Sequence, residues 1–78
     1  MDLQRFVNDV IEADGVSPFN EATMLAPHER EAVKIEVDDQ LAGLALGHTL
    51  SDGKFEVEFA VHPKHRRQGI GSRLIRQL

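Results

Sequence analysis

The sequence predicts a single small α+β domain. Near the amino terminus, apolar residues recur at spacings of three and four, which is typical of one face of a helix. In two later segments apolar and polar residues alternate, which is typical of β-strands. Turn signals separate these segments. The 78 residues are therefore expected to form two helices, a three-stranded antiparallel sheet, a basic loop and a last helix.

The first helix is predicted from a cap at Asp2 to about Ala13, and Asp14-Gly15 ends it. We interpret its apolar stripe as a core face, made of Leu3, Phe6, Val7, Val10 and Ile11. A connector follows. Either Ser17 or Asn20 then caps a short second helix through Leu25, which Pro27 limits.

The first two strands form a predicted hairpin. Apolar residues alternate with charged ones from Val33 to Val37, and a turn at 38–40 leads into a second strand over 41–50. Its inward residues are expected to be Leu44 and Leu46, with Leu50 as a third candidate. The same strand carries two glycines, which could mark bulges or close contacts, Gly43 and Gly47.

The third strand follows a hairpin turn at 51–53. Four apolar residues share one face of it and are expected in the core: Phe55, Val57, Phe59 and Val61. Pro63 ends this strand, because it cannot donate to a sheet ladder. A last helix is predicted from the spacing of Leu74, Ile75 and Leu78.

Charge is distributed unevenly along the chain. Residues 1–61 carry thirteen acidic and four basic side chains, whereas residues 62–78 carry five basic and no acidic ones. One basic end on an acidic body favours capture of a compact anion, and the absence of Tyr and Trp argues against a nucleic-acid partner. No apolar run approaches the roughly 18 residues of a membrane span. The chain also lacks cysteine, consistent with a reducing cytoplasm, and its four histidines lack metal-ligand spacing.

The basic segment has the pattern Val-x-Pro-x-x-Arg-x-x-Gly-x-Gly, from Val61 to Gly71. The first N–H groups of a helix have no partner within that helix, and the helix dipole makes this end positive. Glycines let an anion approach the backbone, and arginines add full charges. The turn could therefore hold a phosphate or pyrophosphate. Alternatively, the glycines only shape the turn and the arginines are solvated.

This string resembles the acyl-CoA-binding signature of the GNAT superfamily of N-acetyltransferases. The resemblance implies the amino-terminal half of a three-layer α/β fold, with acetyl-CoA as co-substrate, a small-molecule amine as acceptor and no metal. It implies that the strand end contacts the pantetheine arm through Phe59, Ala60 and Val61. It also implies that the pyrophosphate is held by Arg66, Arg67, Gln68, Gly69, Ile70, Gly71 and Ser72.

Acyl transfer requires a neutral amine, which a carboxylate base can provide. Glu56 and Glu58 lie on the strand where the family often places its base, and they are the candidates here. The alternative is an outward-facing pair on a half-exposed strand.

The segment 13–21, with Asp-Gly-Val-Ser-Pro at its centre, resembles the mycothiol synthase family, actinobacterial enzymes with two GNAT repeats. The resemblance implies acetyl transfer to the cysteinyl amine of desacetylmycothiol, with Glu21 as a substrate contact. Alternatively, Glu21 is a solvent-facing residue in the first turn of a helix. In that family the amino-terminal repeat is thought to have lost catalysis, so a catalytically inactive CoA-binding scaffold is a second possibility. An enzyme for another small-molecule or protein amine is a third.

The apolar face of the last helix stops at Leu78 without a terminating residue. In the GNAT superfamily another strand and helix follow. We therefore expect residues 1–78 to be a truncated part of a longer acetyltransferase, inactive alone and completed by the rest of its chain. An uncovered sheet edge would also favour self-association.

Overall fold

A computed structural model of the protein describes residues 3–77. Its three helices are α1 (Leu3–Asp14), α2 (Glu21–Leu25) and α3 (Ile70–Arg76). Its strands are β1 (Glu31–Val37), β2 (Gln40–Thr49) and β3 (Phe55–Val61), which form one antiparallel sheet in the order β1-β2-β3. The α+β class and the order of elements are confirmed. None of the helices within 3–77 is long and apolar enough to cross a membrane.

Helices cover both faces of the sheet, so the domain has three layers. On one face, α1 packs through Phe6, Val7 and Val10 onto the sheet residues Leu44, Leu46 and Ala60. On the other face, α3 packs through Ile70 and Leu74 onto residues that include Ile35 and Ala45. The central strand β2 is therefore buried on both sides.

The predicted end of α1 and the predicted bounds of α2 agree with the structure. Gly15, with a φ of 80°, ends α1, and its N–H donates to Ile11 O at 2.7 Å. Asn20 rather than Ser17 caps α2, because its side chain accepts a hydrogen bond from Thr23 N at 2.8 Å. The predicted cap at Asp2 lies outside the described residues.

The glycines of β2 mark a close contact and lie near a bulge. The β1–β2 register shifts between Ile35 and Glu36, which leaves Ala42 as the extra residue. A Cβ on Gly43 would lie 2.6 Å from Ile70 Cγ2, so only glycine lets α3 approach β2 this closely. This contact places the start of α3 against the sheet.

The burial of β3 differs from the prediction. Phe55 and Phe59 are about half exposed, at 49% and 47%, whereas Ala60 and His62 on the opposite face are buried. Val57 and Val61 on the predicted face are partly buried against the α3 side of the core, so the prediction is wrong for the two phenylalanines only. The opposite face, which has fewer apolar residues, is the one that α1 and α2 cover. Ile11 was also expected in the core and is 38% exposed, because it lies at the margin of the α1 stripe.

Candidate functional site

The end of β3 is fixed by a buried histidine. His62 N donates to Ala42 O at 2.7 Å, and the residue as a whole is 8% exposed. Its Nδ1 accepts the backbone N–H of Lys64 at 3.1 Å, so the ring proton is assigned to Nε2, which donates to Asp9 Oδ2 at 2.8 Å. This hydrogen bond lowers the pKa of the Asp9 carboxyl. His62 thus ties the strand end to α1.

The loop after His62 reverses direction at two left-handed positions. Arg67 has a φ of 63° and Gly69 a φ of 77°, and Gly69 caps α3 without a side-chain hydrogen bond. The first bond at this end runs from Arg73 N to Gly69 O at 3.0 Å. The N–H groups of residues 70–72 precede it and have no acceptor within the helix. An anion at the start of α3 can therefore accept hydrogen bonds from these groups.

The end of β3 and the loop of residues 66–72, which we call the glycine loop, together form an open cleft of about 550 Å³. Of the residues predicted to bind the cofactor, this cleft is lined by Phe59, Ala60, Val61, Arg66, Arg67, Gly69, Ile70, Gly71 and Ser72. Gln68 is exposed and does not line it. The cleft extends to α1 at Val10 and Asp14 and to the connector at Pro18. The strand end predicted to contact the pantetheine arm and the loop predicted to hold the pyrophosphate thus line the same cleft.

The outer edge of β3 borders this cleft. Because His62 N bonds toward β2, alternation places the N–H and C=O of Val61 and Phe59 on the outer edge. The corresponding groups of Ala60 face β2, so Ala60 contributes surface to the cleft rather than free hydrogen-bonding groups. The outer edge has no paired strand within residues 3–77.

Arg66 spans the cleft between β3 and α1. Its Nη1 and Nη2 donate to Asp14 Oδ1 and Oδ2 at 2.7 and 2.8 Å, and its Nε donates to Val61 O at 3.2 Å. The hydrogen bonds between Arg66 and Asp14 lower the pKa of Asp14 and raise that of Arg66. Sequence reasoning treated Asp14 only as a helix end. No local signal links it to Arg66, which lies 52 residues away.

A comparison with protein families matches residues 3–78 to the acetyltransferase (GNAT) family. The chain belongs to this family. Three curated relatives, each named mycothiol acetyltransferase, are similar to this GNAT chain. The protein of Salinispora arenicola is 44% identical over 72 residues, that of Saccharopolyspora erythraea 34% over 87, and that of Clavibacter michiganensis 35% over 65.

These alignments cover 83%, 85% and 80% of this chain, but 23%, 29% and 21% of the respective relatives. The GNAT chain therefore spans about a quarter of their length. A comparison with solved structures found no match.

The two candidate bases of the GNAT domain have different surroundings. Glu58 accepts hydrogen bonds from Asn20 N at 2.6 Å and from Thr23 Oγ1 at 2.5 Å, so both of its oxygens hold the start of α2. Glu56 is exposed, and its carboxylate lies 4.0 Å from His48 Nε2. Neither glutamate lines the cleft of the glycine loop.

Glu21, the predicted substrate contact, is exposed in the first turn of α2 and lies outside this cleft. Within residues 3–77, no three His, Cys, Asp or Glu side chains are close enough to hold a metal ion together.

Proposed function

We propose that this chain is part of a GNAT domain that binds acetyl-CoA and belongs to an enzyme that transfers the acetyl group to an amine. The observation that supports the proposal is that the outer edge of β3 and the glycine loop line one and the same cleft. One wall offers backbone groups for an extended ligand. The other offers unpaired N–H groups and arginines for an anion.

The two walls suit the two chemical parts of CoA. The pantetheine arm carries amides, which can pair with the outward N–H and C=O groups of Phe59 and Val61 as an added strand would. The pyrophosphate can accept from the N–H groups of residues 70–72, and the exposed Arg67 adds a cation beside them. When bound, acetyl-CoA supplies the thioester. The residues of this chain hold and orient it.

The glycines fit such a ligand for different reasons. Gly69 needs its left-handed φ of 77°, whatever the cleft contains. A Cβ on Gly71 would meet only Val61 Cγ2, at an ordinary 3.7 Å. The fold therefore does not require glycine at position 71. A close approach of ligand to backbone gives a physical reason for it.

The acceptor that we propose is the cysteinyl amine of desacetylmycothiol, supported by three relatives named mycothiol acetyltransferase. Glu21 is the proposed substrate contact. Its exposure at the start of α2 leaves the carboxylate accessible to a hydroxyl or an ammonium group. The rest of the parent chain would supply the remainder of the acceptor site.

Catalysis by this domain would need a base, and Glu56 is the more accessible candidate, with a side chain 46% exposed. The second function that we consider is a CoA-binding scaffold without its own catalysis. The engagement of both Glu58 oxygens by α2 favours it, because a carboxylate held in this way is poorly placed to take a proton from an amine.

Replacement of Gly71 by leucine in the intact protein tests the proposal. Leucine is compatible with a helix, and its side chain would occupy the cleft, so we expect CoA affinity to fall about tenfold or more through loss of charge-assisted hydrogen bonds. Isothermal titration calorimetry measures the affinity, and thermal unfolding verifies the fold. Ala32→Leu, at an exposed site on the far edge strand β1, is the matched control. Equal CoA affinity in both variants would contradict the proposal.

A further inference from the structure

We propose that Asp14 is an internal competitor for Arg66, so that it sets the affinity of the cleft for anions. In the structure, Arg66 is engaged by Asp14 and Val61. Recognition of a diphosphate by the same Nη ends would require the guanidinium to leave Asp14. This inference rests on the proposed function, because it specifies how that cleft admits its anionic ligand.

The number of N–H donors on Arg66 indicates that Asp14 and a phosphate compete for this side chain rather than share it. A guanidinium has five N–H groups, and the paired Nη ends form the fork that recognises a carboxylate or phosphate with two bonds. Asp14 occupies this fork at 2.7 and 2.8 Å, and Val61 O takes the Nε–H group. Two single N–H groups remain. A phosphate can thus receive two bonds from the Nη ends of Arg66 only if the bridge to Asp14 opens, and the side-on pair of Nε and Nη2 is blocked while Val61 O holds the Nε–H group.

Electrostatics points the same way. The carboxylate of Asp14 offsets the charge of Arg66 within the cleft that both residues line. Asp14 is also the last residue of α1, where the helix dipole disfavours a negative charge. The carboxylate is therefore well placed only while a cation compensates it. Helix stability alone does not favour aspartate at this position.

The bridge is weak enough to be displaced. The two side chains are 39% and 37% exposed, and ion pairs this accessible to water contribute little to stability. A diphosphate carries more negative charge than a carboxylate and is a stronger partner for arginine.

Calorimetric titration of the intact protein with CoA tests the competition. We expect Asp14→Asn to bind CoA about two- to fivefold more tightly than wild type, the range expected from an exposed ion pair. Glu12→Gln removes the same charge from an exposed position two residues earlier on α1, and its affinity should change little. Circular dichroism verifies that each variant is folded.

A double-mutant cycle with Arg66→Gln separates competition from simple repulsion. If Asp14 acts through Arg66, Asp14→Asn should not tighten binding once Arg66 is replaced. An equal gain in both backgrounds would show direct repulsion of the ligand and would overturn the inference. An Asp14→Asn variant with wild-type or weaker affinity would overturn it too, while the proposed function would stand. A wild-type protein that binds no CoA would overturn both.

Discussion

At the scale of single residues, the site depends on two aspartates of α1 that hold the basic segment. Asp9 accepts a hydrogen bond from His62 Nε2, and Asp14 accepts two from Arg66. Both contacts join residues more than 50 positions apart in sequence. The buried contact of Asp9 fixes the end of β3 relative to the helix, whereas the exposed contact of Asp14 holds Arg66 across the cleft until a stronger partner binds.

These contacts predict acid sensitivity. The pKa values of Asp9 and Asp14 lie below the ordinary 3.8, mainly because His62 and Arg66 donate hydrogen bonds to the carboxylates. A lowered folded-state pKa stabilises the fold above the unfolded value. This stability is lost as the pH falls below 3.8 and through the folded values. We therefore expect the double variant Asp9→Asn/Asp14→Asn to lose less stability on acidification than wild type.

Urea unfolding at a series of pH values between neutral and strongly acidic measures the slope of the unfolding free energy against pH. Glu12→Gln, another exposed acid of α1, should retain the wild-type slope. A double variant as acid-sensitive as wild type would show that the two aspartates do not cause it.

At the scale of elements, Glu58 anchors α2 to the sheet. The helix has five residues, too few to be stable alone, and its start is held by Asn20 and by the Glu58 carboxylate. One partner of Glu58 is the hydroxyl of Thr23, a residue that is fully buried. The position of α2, and with it that of Glu21, therefore depends on a side chain of β3.

Replacement of Glu58 by alanine should destabilise the domain by about 1–3 kcal/mol, because it leaves a buried hydroxyl and a backbone N–H unpaired. Chemical denaturation measures the loss, and hydrogen exchange should show faster exchange at Asn20 and Thr23. Glu56→Ala removes a glutamate from the same strand without contact to α2, and we expect a change within about 0.5 kcal/mol. Similar losses in the two variants would contradict the anchoring role.

At the scale of the whole molecule, the outer edge of β3 has no paired strand within residues 3–77, and Phe55 and Phe59 beside it are half exposed. Unpaired edges with apolar side chains favour pairing with another chain. A cleft bordered by such an edge is also open on that side. We therefore propose that the part of this edge outside the cleft, at Phe55 and Val57, accepts either a further strand of the parent chain or a second copy.

For the isolated 78 residues, we predict self-association that Val57→Pro abolishes. Alternation places the N–H of Val57 on the outer edge, so proline there blocks a new ladder and keeps the β2–β3 pairing. Glu56→Pro removes an N–H that faces β2 and should unfold the domain instead. Light scattering across concentration gives the mass. A wild-type chain that remains monomeric at high concentration would contradict the prediction.

Most elements of the fold could be predicted because their signals are local. Three examples are the apolar stripe of α1, the alternation in β1 and the turn at 51–53. Each signal lies within about a dozen residues, so neighbouring residues determine it. The glycine loop was found in the same way. The exposure of Phe55 and Phe59 was not predicted, because alternation separates the two faces of a strand without showing which positions on each face a distant helix covers.

The sequence by itself determined the order of elements, the basic loop and the family resemblance, since each depends on residue types at short spacings. Only the tertiary structure decided that Asp14 holds Arg66 and that Glu58 holds α2. The physical reason is that these contacts join side chains 35 to 52 residues apart in sequence. Such side chains come within hydrogen-bond distance only when the helices pack on the sheet.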